Sequence, residues 1–158
     1  MTWWIVGTGG YSRKVFHTIA ARGERVFGFL DENPDAASPI TGLPVCSPGG
    51  WPSAGDGAQA FVAIGRPDVR QRLMDWLRAE GWQLSPLVHP NAWVAPDAQL
   101  GEGSFVGAQA AVESAAIIGR GCIVDTGTVV DHDARLGDFF HLRPGMVARS
   151  GVHIAGEL

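Results

Sequence analysis

An imidazole and a carboxylate stand next to each other at His132 and Asp133, in the last fifth of the 158-residue chain. Neutral imidazole can accept a proton near pH 7, which suits it to general-base chemistry. A neighbouring anion favours the protonated form of the ring and therefore makes it a better proton acceptor. An isolated histidine is more often a solvated surface residue, so the interpretation of His132 depends on the pattern around it.

A second group of residues that could do chemistry lies near the N-terminus, where Gly7, Gly9 and Gly10 follow a short apolar run. Glycines before a helix let backbone N–H groups approach an anion closely. Asp31 follows the next apolar run, the position of an acid that reaches a ribose or base edge in dinucleotide folds. The alternatives are a tight strand-to-helix turn with a solvated acid, or a nicotinamide redox enzyme. The predicted sheet is too short to supply the second half that a nicotinamide site needs.

The elements that carry these glycines alternate between strand and helix. Strands are predicted at residues 3–6, 26–30 and 61–64, and helices at residues 12–21 and 68–80. This βαβ pattern is typical of a small Rossmann-like α/β domain with a parallel sheet.

Two further features belong to the same half. Residues 32–57 are rich in Pro, Gly, Ser and Ala, which indicates a loop around a minor strand at residues 43–45. The second helix is predicted to bury one face by its apolar spacing, formed by Val69, Leu73, Trp76 and Leu77.

From Pro86 onward the chain follows a strict period of six residues. A position two residues before each aliphatic carries mainly small side chains from Ala92 to Ala134. The repeated position is aliphatic at Val88, Val94, Leu100, Val106, Val112, Ile118, Val124, Val130, Leu136, Leu142 and Ile154, with Ala148 as the one small member.

This period predicts a left-handed parallel β-helix, in which each six-residue unit supplies one short strand and one corner. Three units complete a coil, and the twelve units give about four coils, with the aliphatic side chains inside. A β-sandwich is the alternative, but its strands alternate with period two and need longer hairpins. Two domains are therefore expected, at residues 1–85 and 86–158.

The net charge and the amino-acid composition argue against some classes of function. The net charge is −4 and no block of Lys or Arg is present, which argues against nucleic acid and anionic membranes as partners. Neither a membrane span nor a signal peptide is recognisable, and Cys46 and Cys122 are expected to be reduced thiols. We expect a cytoplasmic protein that binds a small molecule.

The chain resembles the bacterial left-handed β-helix sugar acetyltransferases that act on sialic acid or on nucleotide-linked amino sugars. The resemblance rests on Gly7-Thr8-Gly9-Gly10, Phe29-Leu30-Asp31, Val62-Ala63-Ile64-Gly65 and the segment 130–145, VDHDARLGDFFHLRPG. The segment 130–145 is the specific one. A glycine turn or a hexapeptide repeat alone would fit many proteins.

The resemblance implies transfer of an acetyl group from acetyl-CoA to an amine or a hydroxyl of a sugar, without a metal. It also implies that the N-terminal domain holds a sugar or sugar nucleotide, and that three copies assemble with active sites between neighbours. N- and O-acetylation both remain open, as does the identity of the sugar.

The resemblance also implies roles for particular residues. His132 matches the general base of the family and Asp133 the adjacent carboxylate. His141 matches a position that contacts the thioester end of acetyl-CoA, and Asp125 a polar position near the catalytic pocket. The substrate is expected to contact residues of the N-terminal domain, namely Gly7, Gly9, Gly10, Asp31 and Gly65.

A second function stays open: a C-terminally truncated, non-catalytic homologue that binds a sugar nucleotide or serves as a trimeric assembly module. Members of the family usually continue for several coils beyond the catalytic histidine. The repeat here also becomes irregular near its end, at Arg143, Ala148 and Arg149.

Overall fold

The computed structural model describes residues 1–55 and 59–157 and divides into two compact units, Met1–Ser85 and Pro86–Leu158. Of the loop expected over residues 32–57, positions 56 and 57 lie outside the described residues. In the part that is described, neither helix is long and apolar enough to span a membrane.

The first unit is a four-stranded parallel sheet with two helices, as the alternating pattern predicts. The sheet order is β3-β2-β1-β4. All four residues of β4 are buried, as expected for a parallel strand that is covered on both sides. The elements are β1 (Thr2–Val6), α1 (Gly10–Ala21), β2 (Arg25–Leu30), β3 (Val45–Cys46), β4 (Gln59–Val62) and α2 (Pro67–Ala79).

The buried face of α2 differs from the one predicted. Trp76 is 41% exposed, whereas Met74 is buried. Arg70 also lies on the buried face, where its guanidinium donates to the carbonyl oxygens of Ile64 and Gly65 at 2.7 and 2.8 Å. An arginine can be buried there because these two carbonyls, in the short segment between β4 and α2, accept hydrogen bonds from its charged group. The buried face of the helix is therefore rotated away from Trp76.

The second unit is the β-helix, with twelve two-residue strands arranged in three parallel sheets of four. The strands are β5 (Leu87–Val88), β6 (Trp93–Val94), β7 (Gln99–Leu100), β8 (Phe105–Val106), β9 (Ala111–Val112), β10 (Ile117–Ile118), β11 (Ile123–Val124), β12 (Val129–Val130), β13 (Arg135–Leu136), β14 (His141–Leu142), β15 (Val147–Ala148) and β16 (His153–Ile154).

The three sheets are visited in turn by every coil. The first sheet contains β5, β8, β11 and β14, the second contains β6, β9, β12 and β15, and the third contains β7, β10, β13 and β16. The repeated aliphatic of each strand points inward, and the inward side chains form one continuous core from Val88 to Ile154. The small residues predicted near the corners are buried from Ser104 to Ala134, whereas Ala92 and Ala98 in the first coil are partly buried. Ser104 and Thr128 satisfy their hydroxyls on backbone carbonyls of their own corners. The predicted left-handed β-helix is confirmed.

Candidate functional site

His132 and Asp133 occupy the corner between β12 and β13. Asp133 has a φ of +61°, the left-handed conformation that aspartate tolerates better than most residues. Its backbone N–H donates to the carbonyl oxygen of Ser114 in the preceding coil at 3.0 Å. The N–H of Gly151 in the next coil donates to the carbonyl of His132 at 3.0 Å. Hydrogen bonds from both neighbouring coils therefore fix this corner.

The imidazole of His132 is paired with the adjacent carboxylate. Nδ1 of His132 lies 2.8 Å from Oδ2 of Asp133, and both side chains are more than half exposed. Because an ionised carboxylate only accepts hydrogen bonds, Nδ1 of the neutral ring carries the proton, and this N–H donates a hydrogen bond to Asp133. The lone pair of Nε2 then points away from Asp133 and can accept a proton from a substrate.

Negative charge raises the pKa of His132 above its ordinary value. The hydrogen bond to Asp133 is the largest cause, and the charge of Asp131 is the second. The backbone N–H of His132 also donates to Oδ1 of Asp131 at 2.8 Å, so this carboxylate is held close. Glu113, one coil earlier, adds to the effect. Asp131 and Glu113 were not identified as site residues from the sequence, although their spacing of 18 residues, one full coil, indicates that they stack.

A second histidine–carboxylate pair is formed by His141 and Asp125. Nε2 of His141, at the start of β14, lies 3.1 Å from Oδ2 of Asp125, which is only 6% exposed. The other carboxylate oxygen accepts the N–H of Thr126 at 2.7 Å. One coil earlier, a Cβ on Gly107 would lie 2.8 Å from the nitrogen of Thr126, so only glycine leaves room for this corner. Asp125 thus fixes the orientation of the His141 ring, and the N–H of Thr126 in turn holds the carboxylate of Asp125.

The two pairs are not brought together within one chain. His132 lies at the corner between the second and third sheets, whereas His141 lies on the outward side of the first sheet. In a triangular coil this corner is opposite the first sheet. One ligand of moderate size therefore cannot contact both histidines of the same chain at one site.

The outward side of the second sheet is unusually apolar. Its strands pair in register, so that Trp93, Ala111, Val129 and Val147 form one row across the sheet. Trp93 is 56% exposed and Val147 is 57% exposed. The row runs through all four coils, and its member Val129 lies on the strand that leads into the corner that carries His132.

In the first unit, the predicted glycine turn lies at the carboxyl edge of the sheet. Gly7 has a φ of +104°, and a Cβ there would lie 3.0 Å from a side-chain carbon of Ile64. Gly9 caps the start of α1, and a Cβ on it would meet nothing within 4 Å among the described residues. A Cβ on Gly10, the first residue of α1, would lie 3.8 Å from a side-chain nitrogen of Arg13. The helix start is therefore open to a ligand.

Asp31 is brought to the same turn. Its Oδ2 accepts the hydroxyl of Thr8 at 2.7 Å, and its Oδ1 accepts the N–H of Asn33 at 2.9 Å. Gly65 follows β4 at the same edge, and its carbonyl accepts from Arg70. The structure thus gathers all five predicted substrate-binding residues at the edge where open α/β sheets bind ligands. Thr8, which anchors Asp31, was not singled out from the sequence.

Two other features bear on the chemistry. Within residues 1–55 and 59–157, no group of three or more His, Cys, Asp or Glu side chains is arranged to hold a metal ion. Cys46 and Cys122 form no disulfide, and Cys122 is buried in the β-helix core, where its thiol donates to the carbonyl of Gly137 at 3.1 Å. A cavity of about 290 Å³ lies beside α2 and is lined by Trp51 and Trp76.

Comparison with known proteins shows similarity over nearly the whole chain. Residues 4–77 match the family model of the PglD N-terminal domain. PerB from Caulobacter crescentus, solved with CoA and GDP-perosamine, is 37% identical with a TM-score of 0.84, over 93% of this chain and 70% of that chain. A structure of perosamine N-acetyltransferase from the same organism, with the same ligands, is 34% identical with a TM-score of 0.85, over 97% and 73% of the two chains.

More distant structures share the fold. The acetyltransferase domain of PglB from Neisseria gonorrhoeae, in complex with acetyl coenzyme A, is 24% identical with a TM-score of 0.81, over 98% of this chain and 85% of that chain. WeeI from Acinetobacter baumannii is 22% identical with a TM-score of 0.84, over 97% and 74% of the two chains. No curated protein matches the sequence.

Proposed function

The chain belongs to the hexapeptide-repeat family of sugar N-acetyltransferases, and we propose that it transfers an acetyl group from acetyl-CoA to the amine of a nucleotide-linked sugar. It is an acyltransferase by this membership. The observation that carries the proposal is the pairing of His132 with Asp133 on a rigid corner. Support for the substrates comes from PerB, which was solved with CoA and GDP-perosamine.

His132 acts as the general base in this proposal. The sugar amine attacks the thioester carbonyl carbon, a C–N bond forms, and the amine proton passes to Nε2 of His132. The C–S bond then breaks, and the imidazolium returns the proton to the departing sulfur. Asp133 stabilises the imidazolium through its hydrogen bond to Nδ1 and keeps Nε2 turned toward the substrate. The products are the acetylated sugar nucleotide and CoA thiol.

The charges around His132 favour an amine over a hydroxyl as the acceptor. Asp131, Asp133 and Glu113 all act on this imidazole, so the corner is negative. A sugar amine is partly cationic near neutral pH and is attracted to this corner as the cation, which releases one proton to water before the neutral amine attacks, whereas a hydroxyl is neutral and is not attracted. The names of the Caulobacter relatives, which are N-acetyltransferases, agree with this choice.

The first unit holds the nucleotide. The open start of α1 at Gly9 and Gly10 offers backbone N–H groups to a phosphate, and Asp31 faces the ribose. Gly65, which follows β4, lies at the same carboxyl edge of the sheet as this turn. Glycine-rich turns before other helices bind phosphate through the same backbone N–H groups.

Three copies form the active unit, with each catalytic site between neighbours. In this assembly His132 of one copy and His141 of the next would line one catalytic site, whereas within a single chain the two histidines lie apart. The apolar row Trp93, Ala111, Val129 and Val147 is the surface that such a contact would bury. His141, held by Asp125, is the residue that meets the thioester end of acetyl-CoA.

Substrate preference tests the proposal most directly. Release of CoA thiol is measured with a nucleotide-linked amino sugar, with the same sugar lacking its nucleotide, and with a nucleotide-linked sugar that has a hydroxyl in place of the amine. We expect turnover only with the nucleotide-linked amine. Turnover of the hydroxyl compound would contradict N-acetylation, and no thiol release with any nucleotide-linked amine would favour the non-catalytic homologue.

The pH dependence of kcat/KM tests the role of Asp133. A base with a raised pKa becomes neutral only at higher pH, so the rate of the wild type should rise with an inflection above the usual histidine value. Asp133→Asn removes the largest cause of the raised pKa, and the inflection should move to lower pH. The plateau rate should fall about tenfold or more, because the variant has a weaker and less well oriented base.

A matched control for Asp133→Asn is available at the same column of corners. Asp97 lies two coils earlier and accepts the hydroxyl of Ser114 at 2.7 Å, without a contact to His132. Asp97→Asn should leave the inflection where it is in the wild type. If Asp133→Asn also leaves it there, Asp133 does not act on the base.

A further inference from the structure

Ser114 lies next to the corner that carries His132, one coil earlier. The strands on both sides of this corner pair in register with a spacing of 18 residues, so Ser114 and His132 occupy the same place in consecutive coils. The carbonyl oxygen of Ser114 accepts the backbone N–H of Asp133 at 3.0 Å, which joins the two corners. Because neighbouring strands of a sheet lie about 4.8 Å apart, the two side chains are within reach of one small ligand.

The hydroxyl of Ser114 is held by a carboxylate of the coil before it. Oγ of Ser114 donates to Oδ2 of Asp97 at 2.7 Å. This hydrogen bond lowers the pKa of Asp97, and the backbone N–H groups of Asp97 and Ala115 act in the same direction, so the carboxylate stays charged. Because the hydroxyl proton is used in this bond, the remaining lone pairs of Oγ can only accept hydrogen bonds.

The proton of this hydroxyl is directed away from His132. Asp97 belongs to the coil before Ser114, and His132 belongs to the coil after it, so the proton of Oγ lies on the side of Asp97. Ser114 and Asp97 are both exposed, so the lone pairs of Oγ are accessible to a ligand beside the imidazole. Nε2 of His132 and Oγ of Ser114 are therefore two neighbouring hydrogen-bond acceptors.

Charge distinguishes the two sides of the corner that carries His132. At the position one residue earlier, three consecutive coils hold Glu113, Asp131 and Arg149. This column of side chains therefore changes from negative to positive in the coil after His132. A partly cationic amine is attracted to the acidic side, where Ser114 lies, whereas the phosphate groups of acetyl-CoA favour the basic side. The sugar is thus expected to lie over the coil of Ser114.

We propose that Ser114 binds the hydroxyl on the sugar carbon next to the reacting amine, and so selects sugars in which an amine and a hydroxyl are neighbours. The amine donates to Nε2 of His132, and the hydroxyl donates to Oγ of Ser114. Two donors on adjacent ring carbons can reach two acceptors in consecutive coils. Asp97 is a positioning residue, because it sets the direction of the Ser114 hydroxyl. The inference rests on the proposed function, since it concerns the sugar on which His132 acts.

A pair of substrates tests this inference: a nucleotide-linked amino sugar with a hydroxyl on the carbon next to the amine, and the same compound with hydrogen in place of that hydroxyl. The measurement is kcat/KM for release of CoA thiol. The wild type should prefer the hydroxyl compound by about fivefold to tenfold, the effect of one hydrogen bond. Ser114→Ala should lower kcat/KM for the hydroxyl compound by the same factor, leave the deoxy compound nearly unchanged and so abolish the preference.

The matched control is Ser150→Ala. Ser150 is an exposed serine at the same place in the coil after His132, on the basic side next to Arg149. This variant should keep the preference of the wild type for the hydroxyl compound. A thermal melt followed by circular dichroism checks that Ser114→Ala remains folded, which is expected because the same column of corners also accepts Pro96.

Substitutions of Asp97 test its positioning role. In Asp97→Ala the Ser114 hydroxyl loses the acceptor of its proton and can rotate, so the preference for the hydroxyl compound should fall. Asp97→Asn keeps a side-chain oxygen for this proton and should keep the preference. Both variants should show the wild-type pH inflection of kcat/KM. An unchanged preference in Asp97→Ala would overturn the positioning role.

Three outcomes would overturn the inference: equal kcat/KM of the wild type for the two compounds, a preference that survives in Ser114→Ala, or a preference that is lost in Ser150→Ala. The same assay separates this failure from failure of the proposed function. Turnover of both compounds with equal efficiency would overturn the role of Ser114 and leave acetyl transfer intact. Absence of turnover with either compound would count against the proposed function itself, and the inference would fail with it.

Discussion

Replacement of His132 by asparagine is expected to lower kcat/KM for acetyl transfer by about 10²- to 10⁴-fold, the range that a general base contributes. Asparagine keeps a polar side chain of similar size but has no lone pair that accepts a proton near neutral pH. The amine would then have to lose its proton to water during the attack. The measurement is thiol release under conditions where the substrate concentration is well below KM.

Two properties of the corner make this result interpretable. The side chain of His132 is 60% exposed and takes no part in the β-helix core, so its loss should not unfold the protein. The hydrogen bonds that fix the corner come from backbone atoms of His132 and Asp133, which the substitution leaves in place. A loss of activity can therefore be assigned to the imidazole.

His153 supplies the control for this experiment. It is an exposed histidine on β16 in the same β-helix, and nothing in the sequence pattern assigns it a role. His153→Asn should retain the activity of the wild type. Turnover by His132→Asn at a rate near that of the wild type would show that another group takes the proton.

The β-helix could be predicted because its physical rule is local and repeated. Every sixth side chain, such as Val112, Val124 or Val130, must point into a narrow core, and the corner before it must be small. The sequence repeats this requirement twelve times, so a single deviation such as Ala148 does not obscure it. In the structure this repeat has His132 and Asp133 at a corner, between β12 and β13, where both side chains are exposed.

The features that could not be predicted depend on contacts between distant residues. Sequence analysis singled out His141 and Asp125 separately, but their hydrogen bond joins two coils and needs the position of both side chains. The burial of Arg70 in place of Trp76 depends on the carbonyls of Ile64 and Gly65, which periodicity within the helix does not reveal.

The boundaries of the strands in the first unit also depend on contacts between distant residues. The predicted strand at residues 61–64 is observed as β4 at Gln59–Val62. The polar Gln59 is buried because its amide bonds to the side chain of Gln83, a partner more than twenty residues away. The cavity beside Trp51 was missed for a related reason, since the loop after β3 has no periodicity that would indicate which face Trp51 covers.

The separation of the two histidine–carboxylate pairs has a consequence for assembly. Both pairs are well formed, yet they lie at opposite parts of the triangular coil. If both serve one reaction, the second must come from another copy of the chain. Head-to-tail contact between two different faces closes into a ring when the rotation between copies is one third of a turn.

Mixed assemblies of two inactive variants should therefore regain activity. His132→Asn removes the base, and His141→Ala should lower kcat by about 10²-fold or more if it removes a contact to the thioester oxygen. In a trimer that contains both variants, about one site in three receives His132 from one copy and His141 from the next. Thiol release by the mixed trimers should then approach about a third of the wild-type rate, far above either variant alone.

The design needs mixed trimers and a pair of variants that cannot complement. Coexpression with two different tags followed by sequential purification isolates mixed trimers, and native mass spectrometry verifies their composition. A mixture of His132→Asn with Asp133→Asn is the matched control. These two side chains must come from the same copy, so no site in that mixture regains both, and its rate should equal the average of the two parents. A monomeric wild type, or verified trimers of His132→Asn and His141→Ala without a gain in rate, would show that the two histidines do not share a site.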